Sequence, residues 1–283
     1  MAAVSVIIPT FNRALKVARA VASVLYQRYT DYEIVVVDDG SDDNTLRSLK
    51  QFGKKIKKIV HSENRGVSAA RNTGIQNTDS PFIAFLDSDD YWLPGKLETQ
   101  MGFFSREPEA VICQTEETWI RNGRFANPAK KHQKPSGDLF NSSLKLCLIS
   151  PSAVMIKRVL LEKIGLFDES LPACEDYDLW LRISCGYPVH LIKEWHVVKE
   201  GGHSDQLSSQ YKGMDRFRIK AIVKLLKSGA LNLEQSDAAM AELSRKCTIY
   251  GKGCLKRKKM EEGRYYLALP DFLDREARTN LIK

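Results

Sequence analysis

The sequence FIAFLDSDD, residues 82–90, decides the fold. Five apolar residues are followed at once by Asp87, Asp89 and Asp90. An apolar run of this length is typical of a strand buried inside a parallel sheet. Side chains two positions apart in an extended chain point the same way, so Asp87 and Asp89 should face together. Neighbouring carboxylates repel each other, and a cation that oxygen ligands suit, Mg²⁺ or Mn²⁺, would relieve the repulsion. The alternative is a solvated turn that caps a helix opening at Trp92.

The chain before this stretch alternates strands with helices. Apolar runs predict strands over 4–8, 34–37 and 56–61, and helical spacing predicts helices over 14–29, 45–52 and 67–77. Short links between these elements indicate a parallel, doubly wound α/β sheet. Ligands bind at the carboxyl ends of the strands in such sheets. No G-x-G-x-x-G follows the first strand and no G-x-x-x-x-G-K-[ST] occurs, which disfavours a dinucleotide fold and a P-loop.

The second half of the chain is less regular. The pattern predicts strands over 110–115, 152–156, 189–192 and 196–199, helices over 158–164 and 177–185, and a polar loop over 121–135. From about residue 207 the spacing is helical, with segments near 207–228, 234–250 and 254–268.

The composition argues against a disulfide-bonded, a membrane-spanning or a secreted protein. The six cysteines form no C-x-x-C pair, which predicts reduced core residues in a reducing compartment. No apolar run approaches the ~18 residues of a membrane helix. The first strand also begins too early for a signal peptide. We therefore expect a soluble, cytoplasmic protein.

The positive charge is concentrated near the C-terminus. The net charge is +8, and from residue 205 onward 17 lysines and arginines stand against 10 aspartates and glutamates. This surplus predicts contact with an anionic surface, and the run KRKK at 256–259 could bind lipid headgroups at the cytoplasmic membrane face. The alternative is a solvated helix face. No feature indicates nucleic-acid binding.

Five motifs stand in the order seen in family 2 glycosyltransferases, and the chain resembles this family over residues 4–205. The motifs are VIIPTFNR (6–13), VDDGS (37–41), N-x-G-x-x-x-A-R-N-x-G (64–74), LDSDD (86–90) and ED-x-DLW (175–180). The resemblance implies a GT-A type fold with a mostly parallel central sheet flanked by helices. It also implies a nucleotide-sugar donor, a divalent metal and inversion at the anomeric carbon.

This resemblance suggests a division of the chain. We expect a GT-A type domain over residues 1–205, with a nucleotide-binding half at 1–107 and an acceptor-binding half at 108–205. A helical C-terminal appendage would follow at 206–283.

The motifs carry the predicted nucleotide site. Asp39, in preference to Asp38, is expected to accept a hydrogen bond from a uracil N–H, although either could cap the next helix. The ring of Phe11 could lie against the base, with a buried core position as the alternative. Arg13 and Arg71 would offer charge to a diphosphate. The nucleotide-binding candidates are Pro9, Thr10, Phe11, Arg13, Asp39, Gly66, Arg71, Asp87 and Ser88.

The resemblance also assigns a metal site and a catalytic base. Asp89 is expected to hold Mg²⁺ or Mn²⁺, with Asp87 and His203 as further ligands; simple exposure on a loop is the alternative for His203. Asp176 is the predicted general base, because a hydroxyl is a poor nucleophile until a carboxylate takes its proton. Glu175 precedes it and should point elsewhere, and helix capping is the alternative for both.

The predicted function is an inverting glycosyltransferase of polysaccharide biosynthesis. It would move a hexosyl or N-acetylhexosaminyl group from a UDP-sugar to a hydroxyl of a glycan or lipid-linked acceptor. A sugar nucleotidyltransferase is one alternative, but residues 9–13 lack the glycine- and lysine-rich loop which that chemistry normally uses. A non-catalytic nucleotide-sugar or glycan binding module is the other, and such a module would have no use for Asp176.

Overall fold

The computed structural model describes residues 1–126, 133–202, 211 and 213–280, with side chains described to residue 276. The strands are β1 Val4–Thr10, β2 Tyr32–Asp38, β3 Lys57–Val60, β4 Phe82–Phe85, β5 Tyr91–Trp92, β6 Ile112–Arg121, β7 Arg124–Ala126, β8 Val154–Lys157 and β9 His190–Gly201. The helices are α1 Ala14–Leu25, α2 Thr45–Leu49, α3 Val67–Gln76, α4 Lys96–Arg106, α5 Phe140–Lys145, α6 Arg158–Ile164, α7 Glu175–Ser184, α8 Asp215–Leu226, α9 Leu233–Lys256 and α10 Met260–Asn280.

The described strands form one mixed sheet in the order β3-β2-β1-β4-β8-β6-β9-β5, with β7 paired to β6. The half built from β3, β2, β1 and β4 is parallel throughout, as the alternation of strands and helices predicts. Beyond β4 the sheet turns antiparallel at β8, while β6 and β9 run parallel to each other. The mostly parallel GT-A type sheet is therefore confirmed.

Helices cover both faces of this sheet. Alternate residues of β1 point to opposite faces, so Val6 and Ile8 belong to a core shared with α1 and α4, while Ile7 belongs to a core shared with α3, α6 and α7. Strands that are buried on both faces read as continuous apolar runs. This explains why the short runs in the first half could be assigned without a period-two pattern.

The second half differs from the sequence prediction in its strands. The predicted strands 189–192 and 196–199 are one strand, β9, because pairing with β6 continues past the exposed residues 193–195 through a register shift. For the same reason β6 extends to Arg121 instead of ending near 115. The helix expected at Trp92 begins at Lys96, since Trp92 pairs with β9 in β5.

The C-terminal helices share a core with the sheet domain. Apolar residues of α8, α9 and α10 pack against α5 and α7. The helix break predicted between 250 and 254 is wrong, because α9 continues to Lys256. A Cβ atom at Gly251 would lie 2.9 Å from the carbonyl oxygen of Gly263, so the glycine permits close approach of α9 and α10. The KRKK run occupies the exposed turn between these two helices.

The cysteines and the helices agree with two further expectations. All six cysteines are free thiols, and four of them are buried. In the part of the chain that the structure describes, no helix combines the length and the apolar character that a membrane span requires.

Packing between α3 and β1 gives a test of the parallel half. A Cβ atom added at Gly74 would overlap the side chain of Ile7. Gly74→Ala is therefore expected to lower the free energy of unfolding, because overpacking costs about 1–3 kcal/mol and exceeds the ~1 kcal/mol gained in helix propensity. The measurement is urea unfolding. Gly186→Ala, which meets open space, is the control and should unfold near the wild-type midpoint.

Candidate active site

The carboxyl ends of β1, β2 and β4 lie side by side, and hydrogen bonds join the loops that follow them. The backbone N–H of Asn12 donates to Ser41 Oγ at 2.9 Å, and that of Arg13 donates to Thr45 Oγ1 at 3.0 Å. These contacts fix the loop after β1 against the loop after β2. The structure thus forms the crevice edge where ligands of open α/β sheets bind.

Asp39 lies in this edge directly after β2 and is 3% exposed. The backbone N–H groups of Arg65 and Gly66 donate to its two oxygens at 3.0 and 2.7 Å. His61 Nδ1 lies 2.6 Å from the same carboxylate, and His61 Nε2 lies 3.0 Å from Thr73 Oγ1. A carboxylate has about four acceptor positions, so this network orients Asp39 and leaves about one for a ligand donor.

Other predicted nucleotide-binding residues lie at the same edge, where the backbone N–H of Asp39 donates to the carbonyl oxygen of Thr10 at 2.9 Å. Phe11 is 41% exposed, so the alternative that it belongs to the core is wrong, and its ring is available to a ligand. Pro9 and Thr10 are buried at the end of β1, and the Thr10 hydroxyl has no hydrogen-bond partner among the described residues. Gly66 adopts φ +92°, a conformation that favours glycine, just before α3.

Each aspartate after β4 has a different partner. Asp87 accepts from Arg71 Nη2 at 2.7 Å, and Asp89 pairs with Arg13 at 2.7 Å. The hydroxyl of Ser152 donates to Asp90 at 2.6 Å. The backbone N–H of Asp90 donates to the carbonyl oxygen of Asp87 at 3.0 Å, so residues 87–90 form a turn and the expected extended geometry is wrong. Asp87 and Asp89 nevertheless both pair with arginines, while Asp90 is buried in the protein.

The surrounding charges and burial shift the pKa values of Asp87 and Asp90 in opposite directions. Burial alone would favour the neutral acid of Asp87, but Arg71, Lys199 and Arg13 outweigh it and hold the pKa of Asp87 below its ordinary value. Burial raises the pKa of Asp90 to about 8. The anion is thus the favoured form of Asp87, whose side chain is 25% exposed, whereas Asp90 is favoured as the neutral acid and is a poor ligand for a cation.

This donor set fits a magnesium or manganese ion that a substrate shares. The described residues contain no group of three or more His, Cys, Asp and Glu side chains that could hold a metal. Mg²⁺ is commonly bound by one or two carboxylates, while waters and substrate phosphates complete its coordination shell. Asp87 and Asp89 could provide the two carboxylates. His203, the third predicted ligand, lies outside the described residues. Ser88, 3% exposed, is buried between the two aspartates.

The start of α7 is connected to the aspartates by one buried arginine. Arg71 Nη1 donates to Glu175 Oε1 at 2.6 Å while Nη2 holds Asp87, so the guanidinium bridges the two carboxylates. Arg71 is 3% exposed and Glu175 is 4% exposed. The bridge places the helix start that carries Asp176 beside the carboxylates that follow β4.

Glu175 and Asp176 diverge, as adjacent positions of a helix must. Asp176 is half-buried; its Oδ1 accepts from the N–H of Tyr177 at 2.7 Å and its Oδ2 from the thiol of Cys147 at 3.4 Å. Burial, with the nearby charge of Asp176, raises the pKa of Glu175 to about 7 although Arg71 opposes the rise. Asp176 is therefore the member of the pair that remains available to a substrate.

Several residues of the site carried no signal in the sequence. Arg19 of α1 donates to the carbonyl oxygen of Asp89 at 2.9 Å and pairs with Glu200 of β9 at 2.6 Å. Lys199, also of β9, donates to Ser150 Oγ at 3.0 Å. Burial would lower the pKa of Lys199, but surrounding carboxylates raise it above its ordinary value. Lys199 and Glu200 are charged residues of β9, but the sequence does not show that β9 pairs between β6 and β5.

Comparison with known sequences gives the family. The sequence model of Glycosyl transferase family 2 matches residues 5–165. An uncharacterized glycosyltransferase of Rickettsia typhi is 34% identical over 214 residues, which cover 73% of this chain and 66% of that protein. A Rickettsia felis relative is 35% identical, and the match covers 35% of its length. The chain thus spans between about one third and two thirds of these relatives.

An Escherichia coli relative has a specific activity in its name. WfgD, a UDP-Glc:alpha-D-GlcNAc-diphosphoundecaprenol beta-1,3-glucosyltransferase, is 34% identical over 184 residues. The match covers 64% of this chain and 69% of WfgD.

Solved structures share the fold at lower identity. Residues 1–349 of Staphylococcus aureus TarS, in complex with UDP-GlcNAc, match with a TM-score of 0.74 at 21% identity, over 94% of this chain and 79% of that one. The mannosyltransferase PcManGT of Pyrobaculum calidifontis, in complex with GDP-Man and Mn²⁺, matches with a TM-score of 0.60 at 18% identity, over 99% and 87%. These likenesses support the GT-A type sheet described above. Because the family model matches more than half of this chain, the chain belongs to glycosyl transferase family 2.

Proposed function

We propose that the protein is an inverting glycosyltransferase that moves a sugar from a UDP-sugar to an acceptor hydroxyl, with Asp176 as general base. The observation that carries this proposal is the bridge Asp87–Arg71–Glu175, since it ties the helix start bearing Asp176 to the carboxylates after β4. An inverting transfer needs its base and its leaving diphosphate on opposite sides of one sugar, within a single cavity. The bridge supports such an arrangement.

Some residues of the site would bind the nucleotide-sugar donor, and Asp176 would act on the acceptor. Asp39 would accept the N–H of the base, and the exposed ring of Phe11 would lie against it. Arg13 would bind diphosphate oxygens as a charged donor beside Asp89. Asp176 would take the proton of the acceptor hydroxyl as it attacks the anomeric carbon.

Asp87 and Asp89 would hold Mg²⁺ or Mn²⁺, with His203 as a proposed third ligand. A bound ion of this kind neutralises negative charge that develops on a leaving diphosphate. The lowered pKa of Asp87 supports this role, because a carboxylate must be ionised to act as a ligand.

The acceptor is proposed to be a lipid-linked glycan precursor. WfgD, the Escherichia coli relative, is named for a sugar carried on diphosphoundecaprenol, and it is 34% identical to this chain over 184 residues. The exposed run 256–259 supports contact with an anionic membrane surface, where each basic residue contributes about 1 kcal/mol. The donor is proposed to be a uridine nucleotide on the basis of Asp39 and of the TarS complex.

Donor binding should depend on both metal and Asp89. Titration calorimetry with UDP is expected to show binding that Mn²⁺ strengthens and that Asp89→Ala weakens about tenfold or more, because a charge-assisted contact contributes about 1.5–3 kcal/mol. Asp79→Ala, an exposed aspartate before the amino end of β4, is the matched control and should bind UDP like the wild type. UDP binding that responds neither to Mn²⁺ nor to Asp89→Ala would contradict the proposed donor site.

A further inference from the structure

A small cavity of about 210 Å³ lies between the start of α8 and the last turns of α9. Pockets for drug-sized ligands usually measure ~300–1,000 Å³, so this cavity suits one compact group better than a whole nucleotide-sugar. Its lining includes Met214, Asp215, Arg218 and Arg257. We call it the α8–α9 pocket.

Two arginines give the α8–α9 pocket its chemistry. Arg218 Nη1 pairs with Asp215 at 3.1 Å, and the Arg218 side chain, 28% exposed, lines the pocket. The guanidinium of Arg257 has one polar contact within the described chain, the sulfur of Cys254 at 3.8 Å. Asp215 is the only acidic residue in the lining, and Lys246 also approaches it, at 3.8 Å. Cationic donors therefore outnumber acceptors in this pocket.

The α8–α9 pocket adjoins the start of α7, where Asp176 lies. The carbonyl oxygen of Met214 is 3.9 Å from the sulfur of Cys174, and the guanidinium carbon of Arg218 is 6.0 Å from the ring centre of Tyr177. Arg218 also acts on the thiol that touches Asp176. Burial and Asp176 raise the pKa of Cys147, and the Arg218 charge opposes this rise.

We propose that the α8–α9 pocket binds a phosphate group of the acceptor substrate while the acceptor hydroxyl lies at Asp176. Arginine is the side chain best suited to phosphate, because its planar fork donates two parallel hydrogen bonds to two oxygens. Binding a phosphate remote from the reacting hydroxyl would hold that hydroxyl in place for attack. This assignment rests on the proposed function, since it takes Asp176 as the base, and it gives the C-terminal helices a role in acceptor selection.

The test is titration calorimetry of the full-length protein, saturated with UDP and Mg²⁺, using inorganic phosphate and octyl phosphate as probes. We expect both probes to bind and Arg218→Gln to weaken them about ten- to hundredfold, because a charge-assisted hydrogen bond is lost. Arg257→Gln should weaken them as well. Arg218→Lys, which keeps the charge but lacks the fork, should have an intermediate effect.

Arg264→Gln removes an exposed arginine of α10 outside the α8–α9 pocket and is the charge-matched control. Equal weakening in Arg218→Gln and Arg264→Gln would indicate a general charge effect and overturn the site, as would the absence of phosphate binding. Binding of inorganic phosphate alone would identify a free-anion site and overturn the acceptor assignment. UDP that fails to bind in the loading step would count against the donor site instead, and the phosphate titration would still report on the pocket.

Discussion

Asp176→Asn is expected to lower the rate of sugar transfer by about 10²- to 10⁴-fold, the contribution typical of a positioned general base. The amide keeps the shape of the side chain, so it can still accept from the N–H of Tyr177, but it cannot take the proton of an acceptor hydroxyl. UDP binding should stay unchanged, because the substitution lies at the acceptor side of the site. The measurement combines a transfer assay with UDP calorimetry on the same preparation.

The control for this experiment is Asp237→Asn. Asp237 is exposed near the start of α9, so its amide variant tests the loss of one negative charge close to another helix start. It should transfer sugar at the wild-type rate. Near wild-type turnover in Asp176→Asn would remove Asp176 from the mechanism and would leave the donor site intact. Loss of UDP binding in Asp176→Asn would instead indicate a structural role at the start of α7.

Arg71→Met is expected to destabilise the fold by roughly 3–5 kcal/mol, the cost of removing one partner from a buried ion pair. Methionine fills a similar volume but leaves Asp87 and Glu175 without their shared cation. Urea unfolding measures the loss, and Arg47→Met is the control, because Arg47 is exposed on α2. Glu175→Gln should cost less than Arg71→Met, since the pKa of Glu175 is already raised to about 7 and a neutral side chain is tolerated there.

The destabilisation by Arg71→Met should also depend on pH. A carboxyl whose pKa is higher in the folded than in the unfolded state costs stability as pH rises between the two values, and the cost is complete above the folded pKa. Loss of the Arg71 charge would raise the pKa of Glu175 beyond about 7 and would remove the largest of the charges that lower the pKa of Asp87. The difference in unfolding free energy from the wild type should therefore be larger at pH 8 than at pH 6. A difference independent of pH would show that the charge of Glu175 does not contribute, because the contribution of Asp87 is constant above its unfolded pKa.

Part of the site follows from local sequence patterns, and part depends on contacts between residues remote in the chain. Thr10 ends β1, and Asp39 and Asp87 follow β2 and β4, so these residues lie at the carboxyl ends of neighbouring parallel strands, because apolar runs with short links leave few possible topologies. The exposure of the Phe11 side chain could not be predicted from the sequence, because a phenylalanine that follows a strand can lie in the core or at the surface. The pairing of Glu175 with Arg71, 104 positions apart, had no local signal.

The sequence by itself determined the parallel half of the sheet, the helices that cover it and the order of the five motifs. These features depend on local patterns: apolar runs of strand length, helical spacing and polar residues where each strand ends. Only the tertiary structure decided which charges meet, that β9 is one continuous strand, and that α8, α9 and α10 pack on α5 and α7. The physical reason is that an ion pair or a register shift depends on distances between residues remote in the chain, which no periodicity records.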